Sequence, residues 1–326
     1  MRRLRWGLLS TARINRAVIP AIRESARSEL AAVASRTADR ARAYAAEWDI
    51  PRAIGSYEEM LADPSLDALY VPLPNHLHVE WTVRALEAGK HVLCEKPLAL
   101  SVEDVDRVAD ACRRTGRTAA EAFMYRHHPL THAAQAFVSD GRLGTIKTYR
   151  GSFSFLLTRE GDVRLDPSMG GGSLWDVGCY PVSYSNMLAG RAPVDVFGWQ
   201  RASGRGVDME FFGMMRYADG SVAQFDCGFA GPFHTEMEIT GTGGTLRVHR
   251  PFKTDERSRL EFTAATDEVE QVRCPSDAAY SGEIADMEAA ALDGAAPRVS
   301  LSESRRTVQT IVALHESARA GRVVTL

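Results

Sequence analysis

Between Leu4 and Phe123, short apolar runs alternate with segments of helical period, and no other feature of the chain restricts its fold so much. Leu4-Arg5-Trp6-Gly7-Leu8-Leu9 reads as a strand, Ser10-Thr11-Ala12 as a small-residue turn, and Arg13 to Arg23 as a helix with Ile14, Val18 and Ile22 on one face. Leu30 to Ala34 is a second strand, followed by a helix over Thr37 to Trp48 that Ile50-Pro51 ends and a short helix over Tyr57 to Ala62. Ala68 to Val71 makes a third strand, Val79 to Ala88 a helix closed by Gly89, and Val92 to Cys94 a fourth strand. Ser101 opens a further helix with Asp104 three residues on, and Thr118 to Phe123 is the last strand. Such alternation predicts a parallel sheet with helices on both faces, because parallel strands must be joined by crossovers.

In a doubly wound sheet, ligands bind outside the carboxyl ends of the strands. Pro97 stops the fourth strand, His91-Val92-Leu93-Cys94-Glu95-Lys96-Pro97, so Glu95 and Lys96 stand at that rim. Alone, the pair reads equally as a solvated turn. A Gly-x-Gly-x-x-Gly fingerprint in the first turn would fall on Ser10, Ala12 and Asn15, so all three glycines are missing. Ser10 and Ala12 are still small enough for a pyrophosphate to approach the backbone, and the helix starting near Arg13 offers free N–H groups. After the second strand stand Ser35-Arg36-Thr37 and Arg40, where a ribose-binding carboxylate is usual. A guanidinium pairs with a 2′-phosphate that a carboxylate would repel, which favours NADP over NAD. The competing reading is that Arg36 and Arg40 are solvated charges at a helix start.

Beyond residue 123 the pattern changes. Gly144–Phe155, Asp195–Gln200, Glu210–Tyr217, Val222–Gly228, Glu236–Thr240 and Thr245–Val248 read as strands, with hairpin signals at Ala218-Asp219-Gly220 and Gly241-Thr242-Gly243-Gly244. Pro129 to Val138 is a helix. Helices over Leu174–Leu188, Tyr280–Leu292 and Ser302–Ala320 can cover only one face of the resulting sheet, so the other is expected to meet a second subunit. Between these elements, Gly170-Gly171-Gly172 allow a bend or a close approach to a ligand. Asp176 and Tyr180, four apart, share one face of a helix, although Pro181 argues against an unbroken helix from Leu174. Tyr180 as a packed aromatic and Asp176 as a cap is the competing reading.

The expected fold is therefore α/β. A Rossmann doubly wound parallel sheet occupies residues 1–123, and an α+β domain with a large, mainly antiparallel open sheet occupies 124–326 for substrate binding and oligomerisation. With 326 residues and 45% hydrophobic composition, both domains have enough material for a core. A net charge of -3 without a basic run excludes a nucleic-acid footprint. The five cysteines contain no Cys-x-x-Cys and suggest neither disulfides nor zinc. The apolar run from Trp6 to Leu9 is too short for a leader or a membrane span, so a soluble cytoplasmic protein is expected.

On Glu95-Lys96-Pro97, Pro74-Asn75-His76 and the Gly170-Gly171-Gly172-x-x-x-Asp176-x-Gly178-x-Tyr180 run, the chain resembles the Gfo/Idh/MocA family over essentially its full length. The tyrosine form is similar to the branch with glucose-fructose oxidoreductase, dimeric dihydrodiol dehydrogenase and NADP-dependent D-xylose dehydrogenase. The resemblance implies hydride transfer between a sugar or polyol CH–OH and NADP, with oxidation of a D-xylose-like aldose at C1 expected first. Ketosugar reduction and trans-1,2-dihydrodiol oxidation are the alternatives, and a non-catalytic nucleotide sensor a remoter one. It implies Tyr180 as acid/base, Lys96 as the cation that favours phenolate in a group titrating near 10 unperturbed, and Asp176 as a hydrogen-bond acceptor. Cofactor contacts are expected from Ser10, Thr11, Ala12, Arg13, Ile14, Ser35, Arg36, Arg40, Pro72, Leu73, Asn75, His78, Glu95 and Lys96. Substrate contacts are expected from Lys96, Tyr125, Arg126, Asp176 and Tyr180, with His76 and His127 as further lining. No metal site is expected, since neighbours such as His127 and His128 seldom converge on one ion. A homodimer or homotetramer through the open sheet face is expected, with no nucleic acid or membrane partner.

Overall fold

The computed structural model describes residues 2–273 and 279–326. Its first half forms β1 (Leu4–Leu8), α1 (Asn15–Glu24), β2 (Ser28–Ala34), α2 (Ala38–Glu47), β3 (Arg52–Ile54), α3 (Tyr57–Ala62), β4 (Ala68–Val71), α4 (His78–Glu87), β5 (His91–Glu95), α5 (Val102–Thr115) and β6 (Ala119–Ala122). These strands make one six-stranded sheet in the order β3-β2-β1-β4-β5-β6, every pair parallel. The order reverses between β1 and β4, which places a crevice at their carboxyl ends. Trp6, Val33, Tyr70 and Leu93 fill the core. Thr37, Ser56 and Ser101 each cap a helix by accepting from the backbone N–H three residues on. The edge strand β3 was not expected, because a three-residue run carries no period to read.

The second half adds α6 (Pro129–Ser139), β7 (Ile146–Leu156), α7 (Cys179–Ala189), β8 (Asp195–Ala202), β9 (Asp208–Arg216), β10 (Val222–Gly228), β11 (Ala230–Gly241), β12 (Gly244–His249), β13 (Arg259–Ala264), β14 (Val269–Arg273), α8 (Ala279–Asp293), α9 (Leu301–Ala320) and β15 (Val324–Thr325). The nine strands are ordered β14-β13-β12-β11-β7-β10-β9-β8-β15, antiparallel throughout except for the parallel pair β7 and β10. On one face, Tyr149, Phe153, Phe211, Phe225 and Met237 are buried. Phe197, Trp199, Phe212 and Met214 lie on the other face at 38–51% exposure. They pair across β8 and β9 as Phe197 with Met214 and Trp199 with Phe212. The strands β13 to β15 escaped the sequence reading; β14 is exposed along nearly its whole length and so shows no alternation.

The compact units divide the chain differently from the expected 1–123 and 124–326. One compact unit comprises Met1–His127 and Tyr280–Leu301, the other His128–Ala279 and Ser302–Leu326, so the chain returns to its first unit instead of staying in 124–326. Two features hold α8 there. Its Glu288 accepts hydrogen bonds of 2.5 Å from both Ser25 and Ser28, and Ile284 and Met287 join the core around Trp6 and Tyr70. The helix expected to cover the large sheet thus packs in the other unit. Among the described residues no helix is long and apolar enough to cross a membrane. Cys94, Cys112, Cys179 and Cys227 are free thiols, and Cys274 lies outside the described residues.

Candidate active site

In the first unit, the carboxyl rim of the parallel sheet gathers most of the expected cofactor residues. Ser10 takes a φ of 155°, a value that side-chain-bearing residues rarely adopt, at the place where the fingerprint would put glycine. Its hydroxyl donates to Pro72 O at 3.3 Å, while the Asn15 amide donates to Ser10 O at 2.7 Å from a fully buried position. Side-chain bonds therefore close a turn that glycines would otherwise shape. Thr11, Ala12, Arg13 and Ile14 remain partly or fully accessible, and α1 begins without a side-chain cap, leaving N–H groups for an anion. Ser35 is buried, whereas Arg36 and Arg40 are exposed and have no carboxylate partner among the described residues. Burial raises the Tyr57 phenol and both arginines act against that rise, so their charges lie near one ring.

Beyond β4, Pro72 and Leu73 are buried and Asn75 sits half-exposed in a 3-10 turn. His78, an expected cofactor contact, lies inside the rim. It is buried, with Nδ1 at 2.7 Å from Pro97 O and Nε2 at 2.7 Å from Leu73 O, so the single N–H of the neutral ring donates to one of these rim carbonyls while the other ring nitrogen abuts the second. Burial pushes its pKa down to about 4. At the end of β5, Glu95 accepts the Tyr70 hydroxyl at 2.5 Å, and a cis Lys96-Pro97 bond follows. Lys96 is half-buried.

Sequence reasoning missed the groups that α8 brings to this rim. Tyr280 and Glu283 lie within electrostatic reach of Glu95. Glu283 is 1% exposed, and neither of its carboxyl oxygens has a hydrogen-bond partner among the described residues. Burial, reinforced by the charge of Glu95, raises its pKa well above the usual carboxyl range, which favours its protonated form. The helix seats closely against the turn over Met124–His127. A Cβ on Gly282 would lie 2.6 Å from His127 Cβ. Tyr125 and Arg126, expected to touch substrate, are 1% and 5% exposed. No local pattern links these distant stretches; only the tertiary fold does.

In the second unit the glycine run has a packing purpose. A Cβ on Gly171 would fall 2.5 Å from Arg164 O, and one on Gly172, whose φ is 118°, would fall 2.2 Å from Asp208 Oδ1. The loop can therefore press against Asp208, which accepts from the Ser173 hydroxyl at 2.6 Å and the Leu174 N–H at 2.7 Å. A π-helical turn over Leu174–Gly178 precedes α7, so the helix changes register before Pro181, as that proline required. Tyr180 is 4% exposed, its ring 5.2 Å from that of Phe153 and 5.3 Å from that of Phe252. Asp176 accepts from Arg164 Nε at 2.6 Å, and Arg164 Nη1 reaches Asp162 at 3.2 Å. Arg164 was not anticipated, since its loop carries no motif. Lys96 belongs to the first unit and Tyr180 to the second.

Comparison with known proteins adds to this geometry. Residues 4–123 match the model of an oxidoreductase family with an NAD-binding Rossmann fold, and residues 131–247 match the GFO/IDH/MocA C-terminal domain. The chain is 41% identical to a D-xylose 1-dehydrogenase (NADP(+)) of Haloferax volcanii, with 98% of this chain and 99% of that one covered. It is 31% identical to a trans-1,2-dihydrobenzene-1,2-diol dehydrogenase of Bos taurus, over 76% of this chain and 75% of that one. Among solved structures, a 3-ketoreductase from Actinomadura kijaniata in complex with NADP and TDP-benzene has a TM-score of 0.91 at 30% identity, covering 97% of this chain and 98% of that one. That ketoreductase was also solved with one Tyr→Phe and with one Lys→Ala replacement. The two replaced residues are separated by the same number of positions as Lys96 and Tyr180.

Proposed function

This chain belongs to the Gfo/Idh/MocA oxidoreductase family, and from that premise we propose that it is an NADP-dependent dehydrogenase that oxidises the C1 hydroxyl of a D-xylose-like aldose. The observation that carries the cofactor choice is the pair of exposed guanidiniums after β2, Arg36 and Arg40, without carboxylate partners among the described residues. They suit a 2′-phosphate. The pyrophosphate would rest on the Ser10 to Ile14 turn and the uncapped start of α1, with Pro72, Leu73, Asn75, Glu95 and Lys96 toward the nicotinamide end. When bound, NADP supplies the hydride acceptor.

The protein's own task is to move a proton. Tyr180 takes the proton of the sugar hydroxyl as the carbon beneath is oxidised, and Lys96 favours the phenolate that this requires. Asp176, oriented by Arg164, accepts a second substrate hydroxyl, and Tyr125 and Arg126 shape the substrate's surroundings. The same groups serve ketosugar reduction or trans-dihydrodiol oxidation in the opposite or a parallel sense, a reading favoured by the ketoreductase and dihydrodiol relatives. We place the enzyme in a reducing, cytoplasmic setting, which the free thiols fit. We also assign it a homo-oligomer through the Phe197, Trp199, Phe212 and Met214 face. Trp199→Glu should convert that assembly to monomer in analytical ultracentrifugation.

The test is a panel of aldoses and diols with NADP, and of ketosugars with NADPH, followed by the absorbance of the reduced cofactor. Aldose turnover that Tyr180→Phe abolishes without loss of cofactor binding supports the proposal; turnover confined to ketosugars replaces it by the second reading. Arg36→Ala should raise the KM for NADP by about tenfold or more, consistent with losing a charge-assisted pair. The KM for NAD should barely move.

A further inference from the structure

The amino ends of the same parallel strands enclose a site that the chemistry above leaves unused. A cavity of about 180 Å³ is lined by Arg2, Asp67, Lys90, His91 and Arg117, with Leu66 on its apolar side. Its hydrogen-bonding groups are unbalanced. Lys90 Nζ donates to the carbonyls of Asp63 at 2.5 Å and Leu66 at 3.0 Å, which leaves its third N–H unused. His91 Nδ1 accepts from the Thr118 N–H at 3.2 Å, so the proton of the neutral ring sits on Nε2. That Nε2 lies 3.4 Å from Arg117 Nη1, which is also a donor, so the two cannot satisfy each other. Arg117 has no carboxylate partner among the described residues. The one carboxylate in the lining, Asp67, is already engaged by the N–H and Nε of Arg5 at 3.0 and 3.2 Å and by Arg2 at 2.9 Å.

Several donors and three cations therefore line a space whose one lining carboxylate is already engaged. A group that completes it must bring acceptors and negative charge. We propose that this cavity is a binding site for a small tetrahedral oxyanion such as phosphate, held by the Arg117 guanidinium, the free Lys90 N–H and the His91 Nε2–H. Its position at the amino rim separates it from the proposed 2′-phosphate site at the end of β2. Burial and the Arg117 charge hold His91 down to about 4, so the ring donates through one N–H without becoming a cation above that pH.

The probe is inorganic phosphate, titrated at pH 7.5 into the full-length protein saturated with NADP, against sodium chloride of equal ionic strength. Two readouts are followed: melting temperature and ³¹P line width. Phosphate should raise the melting temperature saturably, and broaden the ³¹P line, beyond the chloride control. Arg117→Gln, an exposed position outside the catalytic residues, should raise the half-saturating concentration about tenfold or more and leave aldose turnover unchanged. A response equal to the chloride control, or an identical response in parent and Arg117→Gln, overturns the proposal. Comparing parent with this variant isolates the cavity whether or not the cofactor assignment holds.

Discussion

The strand β5 begins at His91 among cations and ends at Glu95 among acids and phenols. At the carboxyl end, Tyr70 donates to Glu95 while burial and the Glu95 charge raise the pKa of Glu283 from α8. At the amino end, Lys90 holds two carbonyls and His91 stays neutral next to Arg117. Burial imposes one rule at both ends, since it favours the uncharged form, but an acid obeys by binding a proton and a histidine by losing one. The two rims should therefore respond oppositely to pH, and only the carboxyl rim should matter for turnover.

The sharpest way to break this contrast uses the two lysines that bracket β5. Lys96→Met should lower kcat by roughly 10²- to 10⁴-fold, the range for a lost proton-transfer partner, with little change in stability. Lys90→Met should leave kcat within about twofold. It should cost about 2 kcal/mol or more in urea unfolding, because a buried and a part-buried carbonyl lose a charged donor. A loss of turnover in folded Lys90→Met that matched Lys96→Met would erase the functional distinction between the rims.

What could be foreseen about each rim depended on whether its parts are local in the chain. The parallel sheet, Lys96 at its edge and the guanidiniums after β2 are legible because period, Pro97 and a missing carboxylate act within a few residues. Glu283 was not legible, because an apolar helix face says nothing about which sheet it will join, and α8 crosses back to the first unit through Glu288 and Ser28. Arg164 was hidden for the same reason, its partner Asp176 lying in another turn. The glycine run was read as room for a bend or a ligand, and the bend is what the close contacts with Arg164 and Asp208 explain.

His91 offers a smaller effect with a definite sign. Its folded pKa of about 4 lies below the ordinary 6.5, so the stability it contributes is complete above pH 6.5 and is lost as pH falls toward 4. The slope is about 1.4 kcal/mol per pH unit at most, reduced by partial hydration. Replacing the ring by His91→Asn, which keeps an acceptor for the Thr118 N–H, should flatten the loss measured by urea unfolding between pH 6.5 and 4.5. An unchanged acid limb in this variant would mean that the amino rim does not hold the histidine neutral.

Glu283 should give the mirror image. Its folded pKa is raised above the ordinary 4.5, so its contribution is complete below that value and declines as pH rises, because the unfolded chain ionises while the folded one retains the proton. Glu283→Gln removes that linkage and keeps the shape. The variant should be more stable than the parent at pH 8, by less than the linkage alone would give because the buried amide also needs partners. By pH 4.5 the advantage should vanish. Parallel urea titrations at the two pH values decide it. A gain of equal size at both would mean that Glu283 is ionised in the folded state or acts only through packing, and the opposition between the ends of β5 would then rest on the lysines alone.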